Sequence, residues 1–409
     1  MQLPFNTFSL SVTNIPLWVT IIGTGLICSF YTALGGIKAV IWTDVFQFLV
    51  LFGSLIAVLI FGTKEAGGPS NVWNYNKNHS KLNFFVLNPD PTERLSLWSL
   101  IFGGAFNALP IWAVSQTAVQ RFLTARTLKE AQKSVWYNLP GNVIMMTIVS
   151  LIGLVLFAYY KGDAPHMTTN DQILIYFVSG NLDQLQGLFI ACLFAGTLST
   201  VASGLNALAA VTLIDIVKAY RNGRQTITTF PAIDQASEEE AAKRLDYHDT
   251  VLSKLFTLGY GILTLALAFV AKYMGTLVQM ANTVFGSIGG PLLGVFTLGV
   301  LYRRANSGGA IIGLMAGAYV GFWISVGALV NTVNGEVEEN AFWLYRISFM
   351  WYSTASSLTT IIIGIITSEI IRRLIPDERY KEVDPLLLAT FLGNFESLIV
   401  SNVVLNRVN

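Results

Sequence analysis

Long apolar runs separated by short polar loops dominate the chain. A helix needs about 20 apolar residues to cross about 30 Å of hydrocarbon. Runs of that length cover residues 14–35, 40–62, 96–119, 138–160, 186–217, 250–273, 276–302, 308–331 and 343–371. Because lipid offers the backbone no hydrogen-bond partners, such runs favour helices that satisfy their own backbone. The pattern predicts an all-α membrane protein with about nine transmembrane helices.

The predicted spans are not divided by a Gly/Ser-rich linker, which indicates one transmembrane domain over residues 1–374. Charged residues become frequent after Pro376, and the following apolar run, residues 386–392, is too short to cross a membrane. Residues 375–409 are therefore predicted to form a cytoplasmic tail.

The composition agrees with this class. Hydrophobic residues make up 53% of the chain and charged residues only 12%, whereas soluble proteins are about 25% charged. The net charge of +1 argues against a nucleic-acid partner. The two cysteines lie in apolar runs and the three histidines in separate loops, so neither a catalytic group nor a metal cluster is indicated. We predict a protein that is not an enzyme and has no cofactor.

Positive charges divide unequally between alternate loops. The loops of the richer side contain Lys38, Arg121, Arg126, Lys129, Lys133, Lys218, Arg221, Arg224, Lys243, Arg244, Arg303, Arg304, Arg372 and Arg373. The positive-inside rule places these loops in the cytoplasm, with the N-terminus outside and the C-terminus inside. Asn78-His79-Ser80 then lies outside, which makes Asn78 a candidate glycosylation site.

Polar residues interrupt the fifth predicted span. Ser199, Ser203 and Asn206 follow an i, i+4, i+7 spacing and therefore share one helix face. Thr200 is adjacent to Ser199, and Gly196 lies one turn earlier, where its carbonyl can reach the same surface. Such neutral oxygen atoms suit a weakly held monovalent cation. Hydrogen bonding between packed helices is the alternative that these residues leave open.

The third and seventh spans are also interrupted. Pro110, between Asn107 and Gln116, removes a helical donor and predicts either a broken helix at a cavity or a kinked packing helix. In the seventh span, Gln279 and Asn282 precede a Gly-rich, Pro-containing middle that predicts a hinge or a discontinuous helix.

Asp44 lies near the point where the chain re-enters the membrane from the predicted cytoplasmic side. A carboxylate in a span is a candidate functional group. A first-turn helix acid, stabilised by the helix dipole, is the alternative.

Three stretches resemble the sodium/solute symporter family. They are YTALGGIKAVIWTDVFQ (31–47), the Val119-Gln120-Arg121 end of the third span with the loop LTARTLKEAQKS, and LFAGTLSTVASGLNALAAVTLIDI. Their details are most similar to the animal sodium-coupled monocarboxylate, iodide and multivitamin branch. The resemblance implies a LeuT-type inverted-repeat fold and sodium as the coupling ion.

The resemblance also implies roles for individual residues. Ser199 and Thr200 match the family's side-chain ligands for sodium, and Gly196 matches a carbonyl ligand. Asp44 matches an acidic residue on the cytoplasmic sodium exit path.

Trp112, Gln116, Gln279 and Asn282 would line the substrate path. Asn282 stands where the sugar branch has a glutamine, and Ile111 where it has a tyrosine, which argues against a sugar substrate.

The expected function is sodium-coupled symport of a small organic anion, a monocarboxylate or vitamin-like compound, across the plasma membrane. No Lys or Arg lies in the middle of these spans, so co-bound sodium would balance the substrate charge. The chain starts just before the family's fourth core helix, so we expect a partial fold that lacks the first core helices. A truncated, non-transporting partner or sensor, and a channel-like pore, are the alternatives.

Overall fold

The computed structural model describes residues 17–83, 85–93, 95–161, 172–221, 235–271, 281, 284–333, 336–337 and 340–374. Seven helices in these ranges are long and apolar enough to cross a membrane: Trp18–Gly36, Ala39–Glu65, Leu128–Tyr160, Asp183–Arg221, Arg244–Phe269, Ser307–Val330 and Phe349–Leu374. Two apolar helices, Ser99–Val114 and Phe285–Leu301, are shorter and lie in the third and seventh predicted spans. The predicted helical membrane class is confirmed.

The helices are numbered here in chain order. They are α1 (Leu17–Glu65), α2 (Pro69–Asn78), α3 (Ser99–Val114), α4 (Gln116–Leu123), α5 (Leu128–Tyr160), α6 (Ile173–Asn181), α7 (Gln186–Val211), α8 (Gln235–Ala271), α9 (Phe285–Leu301), α10 (Ser307–Val330), α11 (Trp343–Arg346) and α12 (Tyr352–Leu374). A π-helical segment, Thr212–Lys218, continues α7, and 3₁₀ turns at Asp183–Leu185 and Phe349–Trp351 precede α7 and α12. Strands β1 (Thr332–Val333) and β2 (Glu336–Val337) form one antiparallel pair.

The chain forms two compact units. The first comprises residues 1–82 and 120–276, and the second comprises residues 83–119 and 277–409.

The first unit is organised around α1 and α7. Gly36 interrupts α1 with a φ of +59° and separates two candidate spans. Glycine suits this left-handed conformation because it has no Cβ. A buried cluster joins Cys28 and Val40, one on each side of Gly36, to Ala202 and Leu205 of α7. Apolar packing therefore fixes the polar face of α7 relative to α1.

In the second unit, α10 and α12 pack at very short range. Gly309, Gly313, Gly317 and Gly321 repeat every four residues along α10 and are buried. A Cβ built at Gly317 would lie 1.9 Å from Thr360 Oγ1, which leaves no room for any side chain. This small-residue pattern permits the close helix approach common in membrane proteins.

The third predicted span is a broken helix. Two π-helical turns, Ser99–Gly103 and Pro110–Val114, flank the α-helical turn Gly104–Leu109 of α3. Ser115 is extended, with a ψ of 131°, and separates α3 from α4. Pro110 itself keeps helical angles (φ −56°, ψ −38°). The helix that contains it ends at Ser115, five residues later, so the interruption predicted for this span is present but does not lie at the proline. In the seventh span, a π-helical turn at Phe285–Gly289 precedes the regular part of α9.

Candidate cation site on helix α7

The polar face of α7 is directed at Asp44 of α1. Ser199 Oγ donates a hydrogen bond to Asp44 Oδ1 at 2.7 Å, and Ser203 Oγ lies 3.5 Å from Asp44 Oδ2. One turn further along α7, the Asn206 amide donates to Gln120 Oε1 at 3.4 Å. The common face predicted for Ser199, Ser203 and Asn206 is present, and its partners come from α1 and α4.

Arg121 of α4 completes the cluster. Its Nη2 donates to Asp44 Oδ2 at 2.5 Å and to Ser203 Oγ at 2.6 Å. The Asp44 side chain is only 14% exposed, whereas the Arg121 side chain is 46% exposed. Asp44 also lies five residues beyond Ala39, where the second span of α1 starts. The helix dipole acts mainly within the first turn, so the guanidinium is the principal partner of this carboxylate.

Thr200 and Gly196 form a second contact on α7. Thr200 Oγ1 donates to the Gly196 carbonyl at 3.0 Å, so two predicted sodium ligands are hydrogen-bonded to each other. Thr200 is exposed and Ser199 is half-buried. A hydroxyl that donates still offers lone pairs, so these oxygens remain suitable for a cation.

The cluster differs in charge from the one expected from α7 alone. Ser199 contacts a carboxylate, so the oxygen set includes a full negative charge that Arg121 compensates. The expectation of a neutral site came from α7 residues only, and Asp44 is 155 residues away from Ser199 in the chain.

The other predicted site residues lie elsewhere. Trp112, in the π-helical turn at the end of α3, is 44% exposed, and Gln116, the first residue of α4, is exposed. Both belong to the second unit. Gln279 and Asn282 lie outside the described residues. Asn78 ends α2 and is exposed.

Arg121 is the site residue that sequence reasoning missed. It appeared among the basic loop residues and in the stretch that resembles the family, but it had no predicted role at the site, because nothing near it in sequence indicates Asp44, 77 residues earlier. Lys218 is a comparable case: Asp215, three residues away, is its obvious helix-end partner by spacing. In the structure, Lys218 Nζ pairs with Asp249 Oδ2 of α8 at 3.0 Å. Partners distant in sequence are decided by helix packing.

Comparison with known proteins identifies relatives of this chain by sequence. The chain is 37% identical over 398 residues to the sodium-dependent multivitamin transporter of Oryctolagus cuniculus, an alignment covering 88% of this chain and 59% of that protein. It is 33% identical over 435 residues to the sodium-coupled monocarboxylate transporter 1 of Homo sapiens, covering 94% of this chain and 67% of that protein. The chain thus spans about three fifths to two thirds of the length of these relatives.

A solved structure shares the fold. It shows the substrate-bound, outward-open state of a Na⁺-coupled sialic acid symporter, with a TM-score of 0.67 and 25% sequence identity. The alignment covers 90% of this chain and 70% of the solved chain. The predicted symporter fold is confirmed by this similarity.

The family itself follows from the sequence profile. The profile of the sodium:solute symporter family matches residues 8–317, well over half of the chain. The chain is a multi-pass membrane protein that belongs to the sodium:solute symporter family.

Proposed function

We propose that this protein carries out sodium-coupled symport of a small organic anion, a monocarboxylate or vitamin-like compound, across the plasma membrane. The observation that carries the sodium part is the polar face of α7, where Ser199 meets the Asp44 carboxylate. The substrate class is supported by the relatives, which are named as multivitamin and monocarboxylate transporters.

In this proposal, sodium binds the Gly196 carbonyl and the hydroxyl oxygens of Ser199 and Thr200. Hard cations prefer oxygen ligands, and the Asp44 carboxylate that accepts from Ser199 adds a negative charge beside these three neutral oxygens. Asp44 would attract the ion as it leaves toward the cytoplasm. The membrane potential favours sodium entry by about 2.3 kcal/mol per charge per 100 mV.

The substrate would bind along Trp112, Gln116, Gln279 and Asn282. An aromatic face and three amides can pack against and hydrogen-bond a small carboxylate. Co-bound sodium would balance its negative charge.

The topology belongs to the same proposal. Residues 1–374 form the transmembrane domain and residues 375–409 a cytoplasmic tail, with the N-terminus outside the plasma membrane. Asn78 is exposed at the end of α2, which is compatible with a glycosylation acceptor.

Uptake measurements test the proposal. Cells expressing the chain are given radiolabelled lactate, biotin or iodide in sodium medium or in matched choline medium. We expect lactate or biotin uptake that requires sodium. Equal uptake in choline would exclude sodium coupling, and uptake of iodide alone would exclude an organic anion as the substrate.

A further inference from the structure

The geometry points to a competitive role for Arg121: we propose that its guanidinium is an intramolecular cation that competes with sodium for Asp44 and thereby lowers sodium affinity and promotes sodium release. The inference rests on the proposed function, since it takes sodium to be the ion that reaches the α7 oxygens.

The first support is that the Arg121 guanidinium already occupies two oxygens that a sodium ion could bind. One guanidinium nitrogen, Nη2, contacts both Asp44 Oδ2 and Ser203 Oγ, at 2.5 Å and 2.6 Å. A sodium ion cannot contact these two oxygens until that nitrogen has moved away. Because Asp44 Oδ1 accepts from Ser199, the carboxylate connects Arg121 to a predicted sodium ligand.

The second support is the unequal exposure of the two partners. Asp44 is held with 14% of its side chain exposed, while 46% of the Arg121 side chain is exposed. Arginine has a long, flexible side chain and can extend into water, whereas the short Asp44 side chain lies against Ser199 and Ser203 of α7. The guanidinium is therefore the partner that can leave.

The third support is the charge of the cluster. With Arg121 in place, one carboxylate and one guanidinium give a net charge of zero. If Arg121 leaves without replacement, a largely buried carboxylate keeps an uncompensated charge, which is unfavourable. Sodium arrival can replace Arg121, and the return of Arg121 can replace sodium. Two cations at the same carboxylate would repel each other.

A purely structural brace makes the opposite prediction. If Arg121 only held Asp44 in position for sodium, its removal would misplace the carboxylate and weaken sodium binding. If Arg121 competes, its removal strengthens sodium binding. The sign of the change in affinity therefore separates the two roles.

The experiment measures ²²Na⁺ binding to the purified full chain at constant ionic strength with choline. For Arg121→Gln we expect the half-saturating sodium concentration to fall about fivefold, the factor for a partly exposed ion pair. Arg121→Lys keeps the positive charge and should stay close to the wild type. Arg126→Gln, an exposed arginine five residues further along, is the matched control.

Added guanidinium chloride provides a chemical complement. At millimolar concentration it should displace ²²Na⁺ from Arg121→Gln more strongly than from the wild type, because only the variant has a vacated carboxylate.

Ser203→Ala removes one acceptor of Arg121 and keeps the arginine. It should lower the half-saturating sodium concentration about twofold. If Arg121→Gln does not fold, Ser203→Ala tests whether Arg121 competes with sodium.

The outcomes separate this inference from the proposed function. Sodium binding by the wild type with an unchanged or raised half-saturating concentration in Arg121→Gln and Ser203→Ala would overturn the competition alone. Sodium-specific binding by neither the wild type nor any variant would overturn both. Binding that appears only when Arg121 is replaced would support the competition.

Discussion

Two helices of this protein carry several hydroxyl side chains, and the two sets have different surroundings. On α7 of the first unit, Ser199 and Ser203 are half-buried and contact Asp44, a charged side chain. On α12 of the second unit, Ser356 and Thr360 are fully buried. Ser356 donates to the Gly286 carbonyl at 2.8 Å, a neutral backbone partner.

This difference in partners and burial distinguishes a hydroxyl that serves helix packing from one that can face an ion. The α12 hydroxyls lie against glycines, which lets the backbones of α10 and α12 approach closely. Ser356 and Thr360 donate their hydrogen bonds to backbone carbonyls, which are neutral partners. The α7 hydroxyls lie beside a carboxylate and a half-exposed guanidinium, so their surroundings can exchange one cation for another. Partner charge and exposure distinguish the two cases better than residue type.

The largest effect should come from filling the space beside α12. A Cβ at Gly317 would lie 1.9 Å from Thr360 Oγ1 and 2.6 Å from the Ser356 carbonyl oxygen. Gly317→Leu should therefore destabilise the second unit by about 3 kcal/mol or more. The same substitution at Gly299, where a Cβ meets nothing within 4 Å, is the control. Fluorescence-detected size-exclusion chromatography after heating compares them, and equal stability of both variants would contradict the close packing.

Removing the charge at α7 should have the next largest effect, on ion binding. Asp44→Asn keeps the shape of the side chain but removes the negative charge that attracts sodium. A hydrogen bond or contact to a charged group contributes about 1.5–3 kcal/mol, so we expect the half-saturating ²²Na⁺ concentration to rise at least about tenfold. Asp183→Asn, in the 3₁₀ turn before α7, is the control. An unchanged affinity in Asp44→Asn would remove Asp44 from the sodium path.

The smallest effects are expected from removing single hydroxyls, and these variants test the contrast between α7 and α12 most directly. Ser199→Ala and Thr200→Ala should raise the half-saturating sodium concentration about fivefold with little change in thermal stability. Ser356→Ala leaves the buried Gly286 carbonyl without this donor, so it should cost about 1 kcal/mol of stability without changing sodium binding. Thr197→Ala, a buried hydroxyl on α7, is the control for sodium binding. If the α7 variants and Ser356→Ala changed sodium binding equally and thermal stability equally, the two sets of hydroxyls would not differ in function.

Sequence reasoning was most successful where local physics decides the outcome. Apolar runs of about 20 residues predict helices because the lipid interior leaves the backbone no other partners. Helical periodicity placed Ser199, Ser203 and Asn206 on one face, as the structure shows. Pro110 predicted an irregular helix in the third span because it lacks a backbone donor; a π-helical turn starts at Pro110, whereas the helix is broken at Ser115.

The glycine repeat of α10 is a local signal of close helix packing. Four glycines at intervals of four residues, from Gly309 to Gly321, are a small-residue pattern typical of close helix packing. The pattern would have predicted the tight face of α10. It could not have predicted that Thr360 and Ser356 of α12 lie opposite that face.

By itself, the sequence determined the helical class, the polar face of α7 and the family resemblance, because these depend on neighbouring residues and their period. Only the tertiary structure decided that Asp44 and Arg121 meet at Ser199 and Ser203, since they lie on three different helices. Side chains so distant in the chain come together through the apolar packing of α1 against α7, and residue spacing contains no direct record of that contact. The charge of the candidate cation site is therefore a property of the fold.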